Sequence, residues 1–173
     1  MKKSTAALML CLMLCLSCAC SQSPKNAPED ASETAQSSTE IEYKGNGMNV
    51  RIAVPDSWTA EKGENDESVK YAVGLTFSPK DEPELKYYFQ RYEQGLGVCG
   101  TGLEEKEIAV NGMTANAGYY DGADYWSFIS LSHGDAAYGL TWSYDGDGNI
   151  SDEDIEKYDA QMLSMLDSLT FID

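Results

Sequence analysis

The chain is poor in the residues on which most catalytic and metal sites depend. It has a single histidine, His133, among 173 residues. Four of its five cysteines lie within the first twenty residues, so only Cys99 remains in the body of the chain. A disulfide framework, a cysteine-based metal site and a histidine-dependent triad therefore lack their components. We expect a protein that is not an enzyme of these types and that requires no cofactor.

Positive charge is also scarce. The chain has 12 basic and 29 acidic residues, a formal net charge of −17. Removal of the N-terminal leader described below takes away Lys2 and Lys3, which leaves 10 basic residues against 29 acidic ones and a charge of about −19. Such a charge repels nucleic acids and anionic lipid surfaces. The sequence predicts a well-solvated acidic surface and no nucleic-acid partner.

The N-terminus has the pattern of a secretory signal peptide. Lys2 and Lys3 precede an apolar run, residues 6–16, that is too short to span a bilayer as a stable helix. The run ends in "LSCAC", followed by the polar "SQSPKN". This ending resembles the lipobox of bacterial lipoproteins, in which small residues let a signal peptidase cut before a cysteine that is then acylated.

The resemblance leaves two choices for the acylated residue. Cys20, which follows Ala19, is the preferred lipidation site, and Cys18, which follows Ser17, is the alternative. A secretory signal without any lipid is a third reading. We expect residues 1–19 to be a lipoprotein signal peptide. The mature protein would then be lipid-anchored to the membrane, in an extracytoplasmic location on the bacterial cell envelope.

Residues 20–40 have the composition of a disordered tether. From residue 21 they read "SQSPKNAPEDASETAQSSTE", with five serines, two prolines and no aromatic or aliphatic residue larger than alanine. Such a segment cannot bury a core. As a flexible coil of this length it would hold the domain on the order of 25 Å from the lipid.

Residues 41–173 have the length and the aromatic content of a single globular domain. Apolar and polar residues alternate over much of this range, as in half-buried strands. Short turn signals, such as Asn111-Gly112, join several of these runs into antiparallel hairpins. The predicted strands are residues 48–54, 71–77, 85–92, 103–110, 113–120, 125–131 and 138–144.

The periodicity changes near the C-terminus. Met162, Met165, Leu166 and Leu169 follow at helical spacing, and "SDED" from Ser151 supplies a capping box. "TFID" reads as a short terminal strand or a tail. The predicted fold class is α+β: one antiparallel sheet, arranged as a meander and packed against a C-terminal amphipathic helix.

The layout resembles one known family. The alternating strand, the "VPDSW" of residues 54–58, the hairpin strands and a helix that ends in "MLDSLTF" are similar to the PsbP-like fold of photosystem accessory proteins and of many bacterial lipoproteins. The resemblance implies an accessory or assembly role, because members of the family are mostly not enzymes.

A short acidic loop is the clearest chemical motif. In "WSYDGDGNISDEDIEKY", residues 142–158, oxygen-bearing side chains alternate around Gly148 and Ile150, as in an EF-hand-like calcium loop. The same residues also suit a strand-to-helix turn with Ser151 as N-cap. The calcium ligands in this register are Ser143, Asp145, Asp147, Asn149, Ser151 and Asp154.

Other candidate groups give weaker signals. Ser132, His133 and Asp135 have the residue types of a triad, but neighbours in a hairpin point to different sides. Asp121 with Asp124, and Glu104 with Glu105, suit turn and surface chemistry. Many tyrosines and tryptophans lie on predicted strands, where an exposed strip would bind protein, peptide or carbohydrate, although tyrosine is also an ordinary strand residue.

Together these features predict a non-catalytic, membrane-anchored extracytoplasmic lipoprotein with a binding or envelope accessory role. A calcium-binding or calcium-stabilised surface module, with calcium as its only cofactor, is the first alternative. A small hydrolase that uses acidic residues is the second.

Overall fold

The computed structural model describes residues 37–64, 73–93, 96–98 and 100–172. The predicted signal peptide, the lipidation candidates Cys18 and Cys20, and Cys99 lie outside these residues. No helix among the described residues is long and apolar enough to cross a bilayer.

The described part of the chain forms ten strands and one helix. In chain order these are β1 (Ser38–Gly45), β2 (Met48–Pro55), β3 (Trp58–Lys62), β4 (Val73–Pro79), β5 (Leu85–Tyr92), β6 (Leu103–Val110), β7 (Met113–Tyr120), β8 (Phe128–His133), β9 (Ala136–Tyr144), α1 (Asp152–Leu166) and β10 (Thr170–Phe171). The first strand begins at Ser38, so the folded body includes the last residues of the predicted tether.

The strands form two antiparallel sheets. A three-stranded sheet has the order β1-β2-β10, and a seven-stranded sheet has the order β3-β4-β5-β9-β8-β7-β6. In the larger sheet, β3 to β5 are successive hairpin partners, and so are β6 to β9. The two groups join through β5 and β9, whose register runs from Leu85 opposite Tyr144 to Tyr92 opposite Ala137.

The predicted α+β class, with one meander under a helix, is therefore wrong. Strands hold 55% of the described residues and the single helix holds 12%, so the fold is mainly β, with two sheets. The prediction missed β1 and β3. β1, "STEIEYKG", lacks a buried alternation over its polar first half, and β3, "WTAEK", is a short strand at the sheet edge. Turn signals also specify only neighbouring hairpins and cannot show that β5 pairs with β9.

The two faces of the seven-stranded sheet differ in chemistry. One face, here called the inner face, carries the large buried side chains, among them Leu75, Phe77, Tyr87, Phe89 and Leu140. The helix and the small sheet cover this face. Phe171 of β10 lies 4.7 Å from the ring of Tyr138, between centroids, and Tyr138 belongs to the inner face of β9. The opposite face is here called the outer face.

The C-terminal helix agrees with its sequence pattern. Ser151 is the N-cap, and its hydroxyl accepts a hydrogen bond from the backbone N–H of Asp154. This bond satisfies one of the amide groups that a helix N-terminus leaves unpaired. The apolar stripe faces the core, as predicted, because burying it is the main source of a helix's stability in a protein. The buried members are Ile155, Tyr158, Met162, Met165, Leu166 and, beyond the helix end, Leu169.

Leu166→Ala is expected to destabilise the domain by about 2–5 kcal/mol. The side chain of Leu166 is fully buried, so its truncation loses apolar burial and leaves a cavity. Urea unfolding monitored by tryptophan fluorescence measures the change. Ser164→Ala, on the exposed face of the same helix, is the control and should change the free energy of unfolding by less than about 0.5 kcal/mol. An equally small change for Leu166→Ala would contradict the assigned face.

Candidate functional site

The candidate calcium loop connects β9 to the helix, and its first acidic group already has a cation. Asp145 accepts a hydrogen bond of 2.9 Å from the ammonium group of Lys86 on β5. This bond and the charge of Lys86 hold the pKa of Asp145 below its usual value. Ser143, at the end of β9, lies 3.2 Å from the hydroxyl of Tyr88 and 3.5 Å from Oδ1 of Asp145.

The last part of the loop forms the helix cap. The hydroxyl of Ser151 donates a 2.6 Å hydrogen bond to Asp154, whose backbone N–H donates back to it at 3.1 Å. Asp147 and Asn149 are exposed beside Gly148, which has a φ of 110° and makes the turn. Within the described ranges, no three acidic, histidine or cysteine side chains are placed to hold a metal. The geometry resembles the strand-to-helix turn, and calcium binding stays a prediction.

The triad candidates do not converge. Ser132 and His133 are successive residues of β8, so their side chains lie on opposite faces of the sheet. The imidazole ring of His133 stacks on Phe171, with 4.1 Å between the ring centroids and 6° between the planes. Asp135 lies exposed in the turn that follows. This arrangement does not align a nucleophile with a base.

The acidic pairs lie on the surface. Asp121 and Asp124 are exposed in the loop after β7, and Glu104 and Glu105 are exposed on β6. The loop and the first turns of the helix line a cleft of about 580 Å³. Its lining includes five carboxylates, those of Asp121, Asp124, Asp152, Glu153 and Glu156.

The aromatic side chains fall into two groups. Tyr87, Phe89, Trp126 and Tyr138 are buried, and they serve the core. The others of the predicted strip are half-buried, so no fully exposed strip forms from them. The half-buried residues are Tyr88, Tyr92, Tyr119, Tyr120, Tyr125, Trp142 and Tyr144.

The outer face carries a groove that the sequence did not single out. Its volume is about 450 Å³, and we call it the outer-face groove. It is lined by Leu96, Glu105, Thr114, Asn116, Ser130, Leu131, Ser132 and Ala137. The polar lining follows from the register of the four strands. One row across them consists of polar or small residues, namely Glu107, Asn116, Ser130 and Gly139.

The polar groups of the outer-face groove are available to a ligand. Thr114, Asn116 and Ser132 are exposed and Ser130 is half-buried. Among the described residues, no hydrogen bond within the protein involves the side chain of any of these four. Polar residues in alternating strands are ordinary on a solvent-facing side, so the sequence alone offered no signal for this groove.

A buried carboxyl group joins the helix to the sheet. Asp159 lies on the apolar side of α1 and is only 3% exposed. Its Oδ1 accepts a hydrogen bond from the hydroxyl of Tyr87 on β5, and its Oδ2 accepts one from the backbone N–H of Trp126, each at 2.9 Å. The sequence did carry a signal for this residue, because Asp159 stands four residues after Ile155 and three before Met162, within the apolar stripe.

Burial raises the pKa of Asp159 to about 8, while the hydrogen bonds from Tyr87 and Trp126 act in the opposite direction. Burial and the nearby carboxyl raise the pKa of Tyr87 as well. The titratable groups Tyr119 and Tyr125 also feel the charge of Asp159, although burial raises their pKa values more. All these neighbours are acids, so none supplies a positive charge that would favour the carboxylate.

The Asp159→Asn variant should lose part of the pH dependence of stability. A folded-state pKa of about 8, against about 3.9 in the unfolded chain, means that Asp159 stabilises the fold fully below pH ~4. This stabilisation falls as the pH rises through ~8. Asparagine satisfies both contacts without a charge, because its Oδ1 accepts from the backbone N–H of Trp126 and its Nδ2 donates to the hydroxyl of Tyr87. The variant should therefore gain a few kcal/mol of stability relative to wild type as the pH rises from about 4 to about 9.

Urea unfolding at a series of pH values measures this difference, with Glu156→Gln on the exposed side of the same helix as control. The control should stay parallel to wild type between pH 6 and 9. A difference between Asp159→Asn and wild type that is constant within about 0.5 kcal/mol from pH 4 to 9 would show that Asp159 titrates normally.

Calcium binding by the loop has a separate test. A dissociation constant on the order of 0.1–1 mM, as in extracellular modules, would add about 1.4 kcal/mol at a tenfold excess of calcium over that constant. The melting temperature would rise by roughly 2–6 °C. Asp145→Asn with Asp147→Asn should abolish the rise, and Asp121→Asn with Asp124→Asn should keep it. Equal melting temperatures in calcium and in chelator, at matched ionic strength, would leave the loop as a turn and a cap.

Comparison of the chain with models of known protein families, with curated proteins and with solved structures finds no match. The PsbP-like resemblance therefore stays a prediction from the "VPDSW" turn and the "MLDSLTF" ending.

Proposed function

We propose that the chain is a non-catalytic lipoprotein, anchored to the bacterial cell membrane by an acylated cysteine and folded on the extracytoplasmic side. The observation that carries the proposal is the leader, in which two lysines and a short apolar run precede "LSCAC". Cys20 is the proposed lipidation site. The polar segment after it then separates the lipid from the folded body, whose first strand begins at Ser38.

The domain serves in binding or in envelope accessory work. Two observations support this role over catalysis. The outer-face groove is open and polar, and the side chains of Thr114, Asn116, Ser130 and Ser132 in it form no hydrogen bond inside the described protein. The chemical groups that the sequence offers for catalysis lie apart, since His133 stacks on Phe171 and the acidic pairs lie on the surface. An accessory role is also what the PsbP-like resemblance implies.

Cys20→Ser should abolish lipidation. Cells that express the full chain are labelled with radioactive palmitate and separated into membrane and soluble fractions. Wild type should carry the label and sediment with membranes, because burial of the acyl chains in the bilayer is favourable. The Cys20→Ser chain should carry no label, and it should be released or remain unprocessed.

Cys18→Ser is the matched control and should behave as wild type. The opposite pattern, with label lost only from Cys18→Ser, would move the acylated residue to Cys18. Label and membrane association that survive in both variants, or that are absent from wild type, would refute the lipid anchor.

A further inference from the structure

The helix and the small sheet do not cover the outer face of strands β6 to β9, although Leu96 lies beside the groove and the ring of Tyr92 covers Gly139. The helix binds to the inner face through Asp159, which contacts Tyr87, and through Gln161, whose side-chain oxygen accepts a 3.0 Å bond from the indole of Trp58. The small sheet also packs on the inner face, through Phe171. An antiparallel sheet that is covered on one side buries its apolar residues on that side and carries polar residues on the other.

The floor of the outer-face groove is made of small residues. Ser132 pairs with Ala137, and Ser130 pairs with Gly139, across β8 and β9. A side chain at Gly139 would collide with the ring of Tyr92, which lies over the backbone there. The ring of Tyr92 therefore fills the space above Gly139, and the open part of the groove lies beside it, over Ser132 and Ala137, where Leu96 adds apolar surface to the lining.

The groups that line the groove favour a neutral ligand with many hydroxyl groups. Thr114, Ser130 and Ser132 each supply a hydroxyl that both donates and accepts, and Asn116 supplies an amide with both capacities. Among the described lining residues, Glu105 alone is charged, and a carboxylate accepts hydrogen bonds from hydroxyl groups. The net charge of −17 and the lack of a cation in this lining disfavour phosphate, sulfate and carboxylate groups on the ligand.

From this combination we propose that the outer-face groove binds a neutral carbohydrate. Sugar hydroxyls would exchange hydrogen bonds with Asn116, Ser130 and Ser132, and the apolar C–H surface of a sugar ring would lie on Leu96 and Ala137. The inference deepens the binding role given under the proposed function and rests on it. An extended peptide would need a free sheet edge for its backbone groups, whereas the groove lies on the face of the sheet, over paired strands.

Calorimetric titration of the purified mature protein, held in detergent, tests the proposal. The probes are neutral hexasaccharides of glucose, mannose, galactose or N-acetylglucosamine, with an oligogalacturonate as the anionic counterpart. At least one neutral probe should bind, and the oligogalacturonate should bind more weakly.

The double variant Asn116→Ala with Ser130→Ala should bind the sugar about tenfold more weakly, since two hydrogen bonds are lost. Ser132→Trp should abolish it by filling the groove.

Thr76→Ala with Ser78→Ala is the matched control, because these residues lie on the same face of the sheet, on β4, outside the groove. All three variants should melt at the wild-type temperature, since every changed side chain is an exposed or half-buried polar group. The control should keep the wild-type affinity. An equal loss of affinity in the control and in the groove variants would overturn the assigned site.

Failure of every neutral probe to bind wild type would overturn the proposal, and so would preferential binding of the oligogalacturonate. A wild-type dimer that Ser132→Trp dissociates would make the groove a contact between two copies and would also overturn it. The palmitate label reports on the lipid anchor independently, so a failure to bind sugars with normal labelling refutes the carbohydrate site alone.

Discussion

The pairing of β5 with β9 is the interaction on which the rest of the domain depends. Eight residues of β5 face eight residues of β9, and this ladder joins the hairpin strands β3 to β5 to the strands β6 to β9. Tyr87 lies in the middle of the ladder opposite Trp142, and it is the residue that donates to the carboxyl group of Asp159. The central ladder therefore fixes both the width of the sheet and the position of the helix on it.

The sequence predicted the local parts of this fold well. Asn111-Gly112 has positive φ at both residues, which suits the tight turn that closes the β6–β7 hairpin, and β5, β6 and β7 have the predicted bounds. The capping box at Ser151 also begins the helix as expected. These features depend on residues that are close in the sequence, so local sequence patterns predict them.

The parts that the sequence did not predict depend on contacts between distant residues. Residues 85–92 and 137–144 pair directly although three strands, β6 to β8, lie between them in the sequence, and no local signal selects that pairing over others. The outer-face groove brings Leu96, which precedes β6, beside Ala137 of β9, although its polar residues come from the successive hairpin strands β6 to β8. Asp159 differs, since its place in an apolar stripe marked it, but its partners Tyr87 and Trp126 come from other elements.

The acidic residues of the domain have several structural uses. Asp145 pairs with Lys86, Asp154 exchanges hydrogen bonds with the helix cap, and Asp159 holds the helix on the sheet. Asp167 accepts a hydrogen bond from the backbone of Asn111, which ties the helix end to the β6–β7 turn.

The charges on the edge strand β6 add a further use. This strand ends the large sheet, and its central residues Glu104 to Glu107 are charged and exposed. Charged side chains on an exposed edge oppose pairing with the edge of another molecule. The acidic composition thus serves the cap, the helix contact and the sheet edge. Among the described residues that line the outer-face groove, Glu105 is the only charged one, and Glu107 lies next to the groove, opposite Asn116.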